Sequence, residues 1–444
     1  MKEHMPLTPG FGLLLLLCPN VLAQPLPHHF SGLARAPDGI VTLSLHGSVS
    51  NLIPGLTGSI SNQFMQMFDI YLVEASTNLA DWTRLATLLR TNNDLNPLLL
   101  HDADATNFSQ RFYRTVTNHL ITAFPKPSGP FAVGTLNRVM VDPARTSLYR
   151  YSPKTNAFMV TFWYPAERPA TIVLPGSMWD KRFAADATFW TSAGMDARWA
   201  TITPQVVGHR FVAAPLLITQ ERYPVLLFSH GLAGSRTHQS QIAEELASHG
   251  YVVVAPDHPD CWASEFPDGR YLAGNRGGDN AGRFNDFAFL LDELVRLDST
   301  DPVFAGRFDL DRMGIFGMSY GGMAAETCRR HDRLKCAALL DATNFQVPGA
   351  GLQKPFLAIN ARGSAFLAEN QSLFNKATTN AIWLQVQGAD HGTFSDAAWG
   401  PELPWGRAPA LAIDACLIWF FDTYLKGETA VFPTNPEIVE IRIK

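Results

Sequence analysis

The stretch Arg312-Met-Gly-Ile-Phe-Gly-Met-Ser-Tyr-Gly-Gly-Met323 decides how this 444-residue sequence is interpreted. It begins with a short apolar run that suits a buried strand. It continues with the pattern G-x-S-x-G around Ser319 and leads into a segment with helical spacing. Side chains at Gly317 or Gly321 would collide with the strand and helix that flank such a tight turn. Because the turn lifts the serine hydroxyl out of the backbone, the pattern predicts that Ser319 is a nucleophile.

Apolar runs on both sides of this stretch alternate with segments of helical spacing. Val225-Leu-Leu-Phe-Ser229 and Tyr251-Val-Val-Val-Ala255 are continuous runs of the kind found in strands buried on both faces. Later runs begin at Cys336, Pro355 and Ile382. The alternation predicts an α/β fold, a mostly parallel sheet with helices on both faces. In such a sheet the functional side chains lie beyond the carboxyl ends of the strands.

Residues that follow the predicted strands supply the parts of a serine nucleophile system. A serine hydroxyl needs an imidazole to take its proton and a carboxylate to orient and stabilise that imidazole. We expect Ser319 to be the nucleophile and His391 the base, because His391 follows the last strand-like run. His230 falls where such a fold builds its oxyanion hole, and His258 follows a strand on the upstream side of the nucleophile.

The acid has several candidates. Asp341 ends the strand after the Ser319 turn and is the expected acid, with a helix-capping role as the alternative. Glu369 is the first carboxylate after the next strand, where an acid is more often found in this fold. Asp390 neighbours the base, and we expect it to be structural.

Two backbone amides are expected to form the oxyanion hole. One belongs to Tyr320, directly after the nucleophile, and the other to Leu232, after His230-Gly231. Each such donor typically stabilises the transition state by ~3 kcal/mol. Backbone geometry should therefore matter more than side-chain identity at these two positions.

Five features together resemble the platelet-activating-factor acetylhydrolase family of α/β hydrolases. They are Phe228-Ser-His-Gly-Leu-Ala-Gly-Ser-Arg-Thr237, Ala247-Ser-His-Gly-Tyr251, Gly317-Met-Ser-Tyr-Gly-Gly322, the early Asp341 and Trp163-Tyr-Pro165. The resemblance covers roughly residues 145–426. It implies an α/β-hydrolase fold in which the acid follows the strand next to the nucleophile, in agreement with the position of Asp341.

The same resemblance implies hydrolysis of short or oxidised acyl chains from phospholipid-like esters, with no cofactor and no metal. The sequence departs from the family in residues 166–215 and 342–380, where the acyl and leaving-group pockets would be built. The family also includes general esterases and polyester-cleaving enzymes. The resemblance therefore leaves the acyl chain and the leaving group open.

The first residues are typical of an export signal. Lys2 precedes a short apolar core, and Val21-Leu-Ala23 is a small-residue cleavage site. We predict a signal peptide over residues 1–23 and a secreted or periplasmic protein. A lipoprotein anchored at Cys18 and an uncleaved anchor are the alternatives. No later stretch is predicted to cross a membrane.

The remainder is predicted to hold two domains and a linker. Residues 38–120 alternate apolar and polar positions, which is typical of half-buried strands, and resemble a small β-rich, sandwich-like module appended to exported bacterial proteins. A spacer or surface-attachment role is favoured over carbohydrate binding, and its ligand is unknown. Residues 121–144 are predicted to be a Pro-rich linker, and residues 145–444 the catalytic domain. The three aromatic side chains that carbohydrate binding would use are Trp82, Phe112 and Tyr113.

Charge and cysteine content exclude several classes of function. The formal net charge is −5, and no long Lys/Arg run is present, which argues against nucleic acid as a partner. None of the five cysteines has C-x-x-C spacing, so no zinc site is expected. Without Cys18 an even number remains, which is compatible with disulfides, although apolar surroundings favour buried thiols.

We therefore predict a secreted serine ester hydrolase that cleaves short-chain acyl esters, phospholipid-like or small, through an acyl-serine intermediate. Its expected partners are small-molecule or lipid esters, with transient contact to a lipid surface. A polyester or general carboxylesterase and a peptidase of the same fold are alternatives. A binding protein with a degenerate hydrolase domain is a third.

Overall fold

The computed structural model describes residues 28–47, 69–90, 98–118, 124–145, 156–168, 179–192, 197, 199–205, 208–219, 222–343, 351–399 and 407–444. The predicted export signal over residues 1–23 lies outside the described residues. The chain divides into two compact units, Met1–Ile121 and Thr122–Lys444.

The first unit contains two antiparallel three-stranded sheets. One has the order β1-β2-β5 and the other β4-β3-β6. The strands are β1 His28–Arg35, β2 Val41–Gly47, β3 Asp69–Ser76, β4 Thr83–Arg90, β5 Leu98–Asp102 and β6 Phe112–Asn118. The Tyr113 hydroxyl in β6 donates a hydrogen bond to Asp102 at the end of β5, at 2.9 Å, and so joins the two sheets. Tyr113 is 4% exposed and is therefore a core residue, whereas the Trp82 ring is covered by the Arg114 guanidinium at 4.2 Å.

The second unit is built on a ten-stranded sheet. Its order is β18-β17-β16-β15-β14-β10-β11-β8-β7-β9, and the six strands from β17 to β11 run parallel. The strands are β7 Ala132–Val141, β8 Ala157–Ala166, β9 Arg210–Val212, β10 Tyr223–Ser229, β11 Val252–Pro256, β14 Phe308–Met318, β15 Leu334–Leu340, β16 Phe356–Ala361, β17 Ala381–Val386 and β18 Ile438–Ile443. A separate hairpin pairs β12 Ala263–Glu265 with β13 Tyr271–Ala273. The predicted α/β class is confirmed.

The linker prediction was wrong for β7. Residues 132–141 fall inside the predicted linker 121–144 but form a sheet strand paired with β8 over its full length. Val139 and Val141 are exposed while Val133 and Met140 are buried, so the apolar pattern does not alternate as a sequence-based assignment requires. Backbone pairing with the wholly buried β8 places this segment in the sheet.

Helices cover both faces of the sheet. They are α1 Lys181–Ala184, α2 Ala187–Ser192, α3 Trp199–Ile202, α4 Ser240–Ser248, α5 Asn280–Thr300, α6 Met323–Arg330, α7 Leu367–Lys376 and α8 Arg407–Phe421. Alternate side chains of each strand enter two separate cores, as Leu227 and Phe228 of β10 do. Helices α5, α6 and α7 close one core, and α4 and α8 close the other.

Cysteines contribute to these cores as thiols. The four in the described residues are free and buried: Cys261, Cys328, Cys336 and Cys416. Burial raises the pKa of Cys328 and of Cys416 to about 12, which keeps both thiols protonated. They pack as small apolar side chains.

One helix differs from the expectation about membranes. Helix α8 continues into a π-helical turn, Asp422–Lys426, and the 19 residues Ala408–Lys426 have a mean hydropathy of 1.3, long and apolar enough to cross a bilayer by those two criteria. The segment is 56% buried, and its apolar residues Ile413, Leu417 and Phe420 lie in the core. A core helix meets the same criteria, because burial against a sheet also selects apolar residues.

Candidate active site

Ser319 lies in a strained turn between β14 and α6. Its φ is +56°, in the left-handed region that a residue with a side chain rarely adopts. A Cβ added to Gly317 would lie 1.9 Å from the carbonyl oxygen of Gly321, and one added to Gly321 would lie 2.0 Å from that of Ser229. Only glycine fits at either position, and the chain can therefore pass from strand to helix within the four residues Ser319–Gly322.

The end of β10 lies beside this turn. Strands β10 and β14 are parallel neighbours, with Ser229 opposite Gly317, at the point where the order of the sheet reverses. A Cβ on Gly231 would lie 3.3 Å from the Cβ of Ser319. The fold therefore brings the predicted oxyanion loop against the predicted nucleophile.

His230, the first residue of that loop, is wholly buried and engaged within it. The amide of His258 donates to His230 Nε2 at 3.0 Å, which leaves Nδ1 to donate to the carbonyl of Gly231 at 2.7 Å. Burial, and after it the Arg283 guanidinium, lowers the pKa of His230 well below its usual value. A neutral imidazole with both nitrogens occupied shapes the loop and has no free nitrogen to act as a base.

Asp341 and His391 form a hydrogen-bonded pair. His391 Nδ1 lies 2.7 Å from Asp341 Oδ2, and the side chains are 49% and 2% exposed. The other carboxylate oxygen accepts from the amide of Ala361 at 3.1 Å and from the Asn360 side chain at 3.3 Å. Burial opposes ionisation of Asp341, but hydrogen bonds from His391 and Ser364 outweigh it, and the pKa is lowered. A buried carboxylate thus holds an accessible imidazole through Nδ1 and leaves Nε2 for chemistry.

The other candidate acids have different partners. Asp390 accepts from the Thr393 amide at 2.9 Å and caps the short turn that carries His391. Glu369 accepts from the Thr343 hydroxyl at 2.9 Å. The geometry therefore pairs His391 with Asp341 rather than with Glu369.

The Asp341 loop is also tied to the nucleophile turn. The Thr343 amide donates to the Ser319 carbonyl at 3.1 Å, and a Cβ on Gly322 would lie 1.6 Å from the Thr343 carbonyl oxygen. Among the described side chains, Ser319 and His391 are not hydrogen-bonded to each other. Catalytic contacts of this kind are often loose before substrate binds.

The fold brings residues of both predicted oxyanion donors to Ser319. Tyr320 follows it directly, and Leu232 ends the buried loop with a side chain that is 47% exposed. Within the described residues, the Leu232 amide has no hydrogen-bond acceptor. An amide left unpaired at a loop beside a nucleophile is suited to bind a developing oxyanion.

Sequence reasoning missed a buried charged layer beneath this site. Arg283, at the start of α5, and Asp260 are wholly buried and form an ion pair of 2.9 Å. Arg236, in the loop that follows Leu232, pairs with the buried Asp257 in the same way. A charged residue beside an apolar helical stripe was the available signal, but sequence alone does not distinguish a solvated arginine from a buried one.

Asp396 is a further buried carboxylate that the sequence did not single out. It accepts from the amides of Ser240 and Gln241, both at 2.9 Å, and from the Trp179 indole at 2.8 Å. Burial raises its pKa to about 8. It caps the N-terminus of α4 and joins that helix to the segment after His391. In the described residues no cluster of His, Cys, Asp and Glu is arranged to hold a metal ion.

Part of the chain is similar to known ester-cleaving proteins. Residues 116–266 match the family described as platelet-activating factor acetylhydrolase, isoform II. A platelet-activating factor acetylhydrolase of Cavia porcellus is 26% identical over 352 residues, which cover 68% of this chain and 77% of the relative. A probable 1-alkyl-2-acetylglycerophosphocholine esterase of Arthroderma benhamiae is 26% identical over 39% of this chain and 48% of its own.

A solved structure shares the fold. The ferulic acid esterase from Streptomyces cinnamoneus superposes with a TM-score of 0.58 at 24% identity, over 72% of this chain and 98% of the esterase. This likeness establishes the architecture. The sequence relatives indicate an ester hydrolase, and over residues 116–266 the chain is similar to the platelet-activating factor acetylhydrolase family.

Proposed function

We propose that this protein hydrolyses short-chain acyl esters through an acyl-Ser319 intermediate. The observation that carries the proposal is the 2.7 Å bond between His391 and the buried Asp341, formed at the same edge of the sheet as the strained Ser319 turn. Each residue then has one role. Ser319 is the nucleophile, His391 the base and Asp341 the carboxylate that orients His391.

Acylation begins when His391 Nε2 takes the proton of the Ser319 hydroxyl as the oxygen attacks the ester carbonyl. The carbonyl oxygen becomes an oxyanion, and the amides of Leu232 and Tyr320 bind it, each contributing ~3 kcal/mol. The imidazolium, stabilised by Asp341, then gives its proton to the leaving alkoxide. An alcohol departs and the acyl group remains on Ser319.

Deacylation repeats the sequence with water. His391 removes a proton from a water molecule as that molecule attacks the acyl carbonyl. A second oxyanion forms in the same place, and its collapse expels the Ser319 oxygen, which recovers a proton from His391. The carboxylic acid leaves, and the enzyme returns to its starting state.

A phospholipid-like ester with a short acyl chain is the proposed substrate class. Support comes from the relatives, which are named for hydrolysis of platelet-activating factor and of 1-alkyl-2-acetylglycerophosphocholine.

We further propose export, from the signal pattern of residues 1–23, and an accessory role for the β-rich residues 38–120. Sequencing the N-terminus of the mature protein tests export: a chain that still begins at Met1 would rule out a cleaved signal.

Trapping the acyl group tests the mechanism. We expect a rapid mix of enzyme with p-nitrophenyl acetate to yield an acetyl adduct on Ser319, detected by peptide mass spectrometry. The adduct should accumulate in His391→Ala if acylation is forced with an activated ester, and should be missing in Ser319→Ala. Turnover by Ser319→Ala at the wild-type rate would refute the proposal.

A graded panel of esters tests the substrate class. The panel pairs acetyl, butyryl and longer acyl groups with p-nitrophenol and with a glycerophosphocholine headgroup. The proposal predicts that kcat/KM falls as the acyl chain lengthens in both series, and that the glycerophosphocholine series is hydrolysed. Hydrolysis of the p-nitrophenyl series alone would limit the function to that of a general carboxylesterase.

A further inference from the structure

Arg283 contacts both halves of the proposed oxyanion hole. It projects from the first turn of α5 and is wholly buried. Its Nη2 donates to the carbonyl of Gly231 at 3.2 Å, and its Nη1 donates to the carbonyl of His230. Its guanidinium also lies 4.9 Å from the centre of the Tyr320 ring.

The contact with Gly231 acts on the next amide in the chain. The Gly231 carbonyl and the Leu232 N–H belong to one planar trans peptide, in which the two groups point in opposite directions. Drawing the carbonyl toward Arg283 therefore directs the Leu232 N–H away from it. The same argument links the His230 carbonyl to the Gly231 N–H. Arg283, from a different element, thus acts together with His230 Nδ1, which donates to the same Gly231 carbonyl at 2.7 Å, to orient the loop.

The contact with Tyr320 acts on the second donor. The Tyr320 ring lies over the guanidinium, and its hydroxyl donates to Asn280, at the start of the same helix. Holding the side chain at two points restrains the backbone that carries the Tyr320 amide. Helix α5 therefore anchors Tyr320 as well as the Gly231 peptide.

The guanidinium itself is held rigidly. Its Nε donates to both oxygens of Asp260 at 3.0 Å, and Nη1 donates to the Ser229 hydroxyl at 3.1 Å. Asp260 is also wholly buried and accepts a hydrogen bond from the amide of Asp279 at 3.2 Å. The planar guanidinium of arginine can donate to these acceptors at the same time. A lysine ammonium is a single point charge and lacks that geometry.

We propose that Arg283, held by Asp260, is a positioning residue that aligns the Leu232 and Tyr320 amides on the oxyanion. The inference rests on the proposed function, because it presupposes that Ser319 forms a tetrahedral intermediate beside these amides. It assigns no contact between Arg283 and substrate. Its effect is therefore expected in binding of the transition state and not in binding of the ester itself.

Arg283→Lys keeps the positive charge opposite Asp260 but cannot hold both loop carbonyls. Misplacing one donor should lower kcat for p-nitrophenyl acetate by about 10²-fold, in the range found when an oxyanion donor is removed. KM should stay at its wild-type value. The inhibition constant of a trifluoromethyl ketone, which forms an oxyanion on Ser319, should rise by the same factor as kcat falls.

Arg210→Lys is the matched control. Arg210, in the edge strand β9, and Glu244, in α4, are a second buried pair, 5% and 1% exposed. This variant should lower the melting temperature as much as Arg283→Lys does, while kcat and the inhibition constant stay at wild-type values. Equal effects of the two variants on kcat would show that Arg283 matters only for stability, and would overturn the inference.

Two further results decide the remaining cases. If Arg283→Lys does not fold, Asp260→Asn replaces it, since the isosteric amide loosens the guanidinium without removing it. A fall in kcat at constant KM then supports the inference, and an unchanged kcat overturns it. If Ser319→Ala is inactive while folded Arg283→Lys is fully active, the role of Arg283 is refuted and the proposed function is retained. If Ser319→Ala is active, the proposed function is refuted, and the role of Arg283 that rests on it is refuted with it.

Discussion

The described part of the chain contains an accessible and a buried arrangement of serine, histidine and aspartate. The proposed catalytic set is Ser319, His391 and Asp341. The second is Ser229, His258 and Asp286, in which Ser229 Oγ lies 3.2 Å from His258 Nε2 and His258 Nδ1 lies 3.0 Å from Asp286 Oδ2. In the second set both hydrogen-bond contacts, serine to histidine and histidine to aspartate, are formed, whereas in the first set only the contact between histidine and aspartate is formed.

Environment separates the two. Ser229, His258 and Asp286 are at most 1% exposed, whereas the side chain of His391 is 49% exposed. Burial lowers the pKa of His258 well below its usual value, so its imidazole resists the proton that a base must accept. Burial likewise raises the pKa of Asp286 to about 7, against the opposing effect of Arg145.

Backbone geometry separates them as well. Ser229 is the last residue of a regular strand, whereas Ser319 occupies a left-handed turn and is followed directly by Tyr320, a proposed oxyanion donor. Three residues at hydrogen-bond distance therefore do not make a catalytic set. A catalytic set also needs a solvent-accessible base, a serine hydroxyl that the turn lifts out of the backbone, and oxyanion donors. The buried set instead stabilises the layer beneath the oxyanion loop.

The largest effect should come from exchanging the two serines for alanine. Ser319→Ala should lower kcat for p-nitrophenyl acetate by about 10⁴-fold or more, because loss of the nucleophile removes the whole acyl-enzyme route. Ser229→Ala should lower it by no more than about tenfold, since it loses one contact to Arg283 and one to His258 while the other contacts of Arg283 remain. Initial rates of both variants at equal enzyme concentration are the measurement. A deeper loss in Ser229→Ala would mean that the buried set participates in chemistry.

The two carboxylates that compete for the role of acid provide the next test. Asp341→Asn should lower kcat by about 10³- to 10⁴-fold, because the amide no longer orients His391 or stabilises its charged form. Glu369→Gln keeps the shape and the bond to Thr343, and should retain wild-type kcat. Steady-state kinetics on one ester compare the two. If only Glu369→Gln were impaired, the acid would have to be reassigned.

The smallest effect concerns the pH dependence of stability that the buried histidine creates. The folded-state pKa of His258 is lowered, so the unfolded chain binds more protons at pH values below about 6.5. The neutral, buried form is stabilising above that pH, and its contribution is lost as the pH falls, by up to about 1.4 kcal/mol per pH unit. The groups facing His258 are Asp286, Arg283, His230 and Arg145.

His258→Gln removes this dependence and retains a polar side chain. Urea denaturation at pH 7.5 and pH 5.0 should show that wild type loses more of its free energy of unfolding on acidification than the variant does. Asp286 titrates in the opposite sense, since its raised pKa favours the folded state at low pH, but it is present in both proteins. Identical pH dependence in the two proteins would mean that His258 is already charged when buried.

Local patterns in the sequence were sufficient to predict the Ser319 turn and to propose Asp341 as the acid. Gly317 must be glycine because of a contact within one strand-turn-helix unit, and the G-x-S-x-G pattern also marks Gly321, whose close contact is with Ser229 of the neighbouring strand. Asp341 and His391 each follow a strand, and a parallel sheet gathers strand ends at one edge. The strand β7 was missed because its exposed valines break the alternation on which strand prediction depends.

The sequence by itself determined the α/β class, the nucleophile turn and the order of serine, aspartate and histidine, because each depends on short-range periodicity or on residues at strand ends. Only the tertiary structure decided which serine and which histidine are accessible, and which arginine is buried beneath the oxyanion loop. Burial depends on what packs against a residue from elsewhere in the chain. Arg283 and His258 therefore could not be distinguished from solvated residues until α5 was placed against β10 and β11.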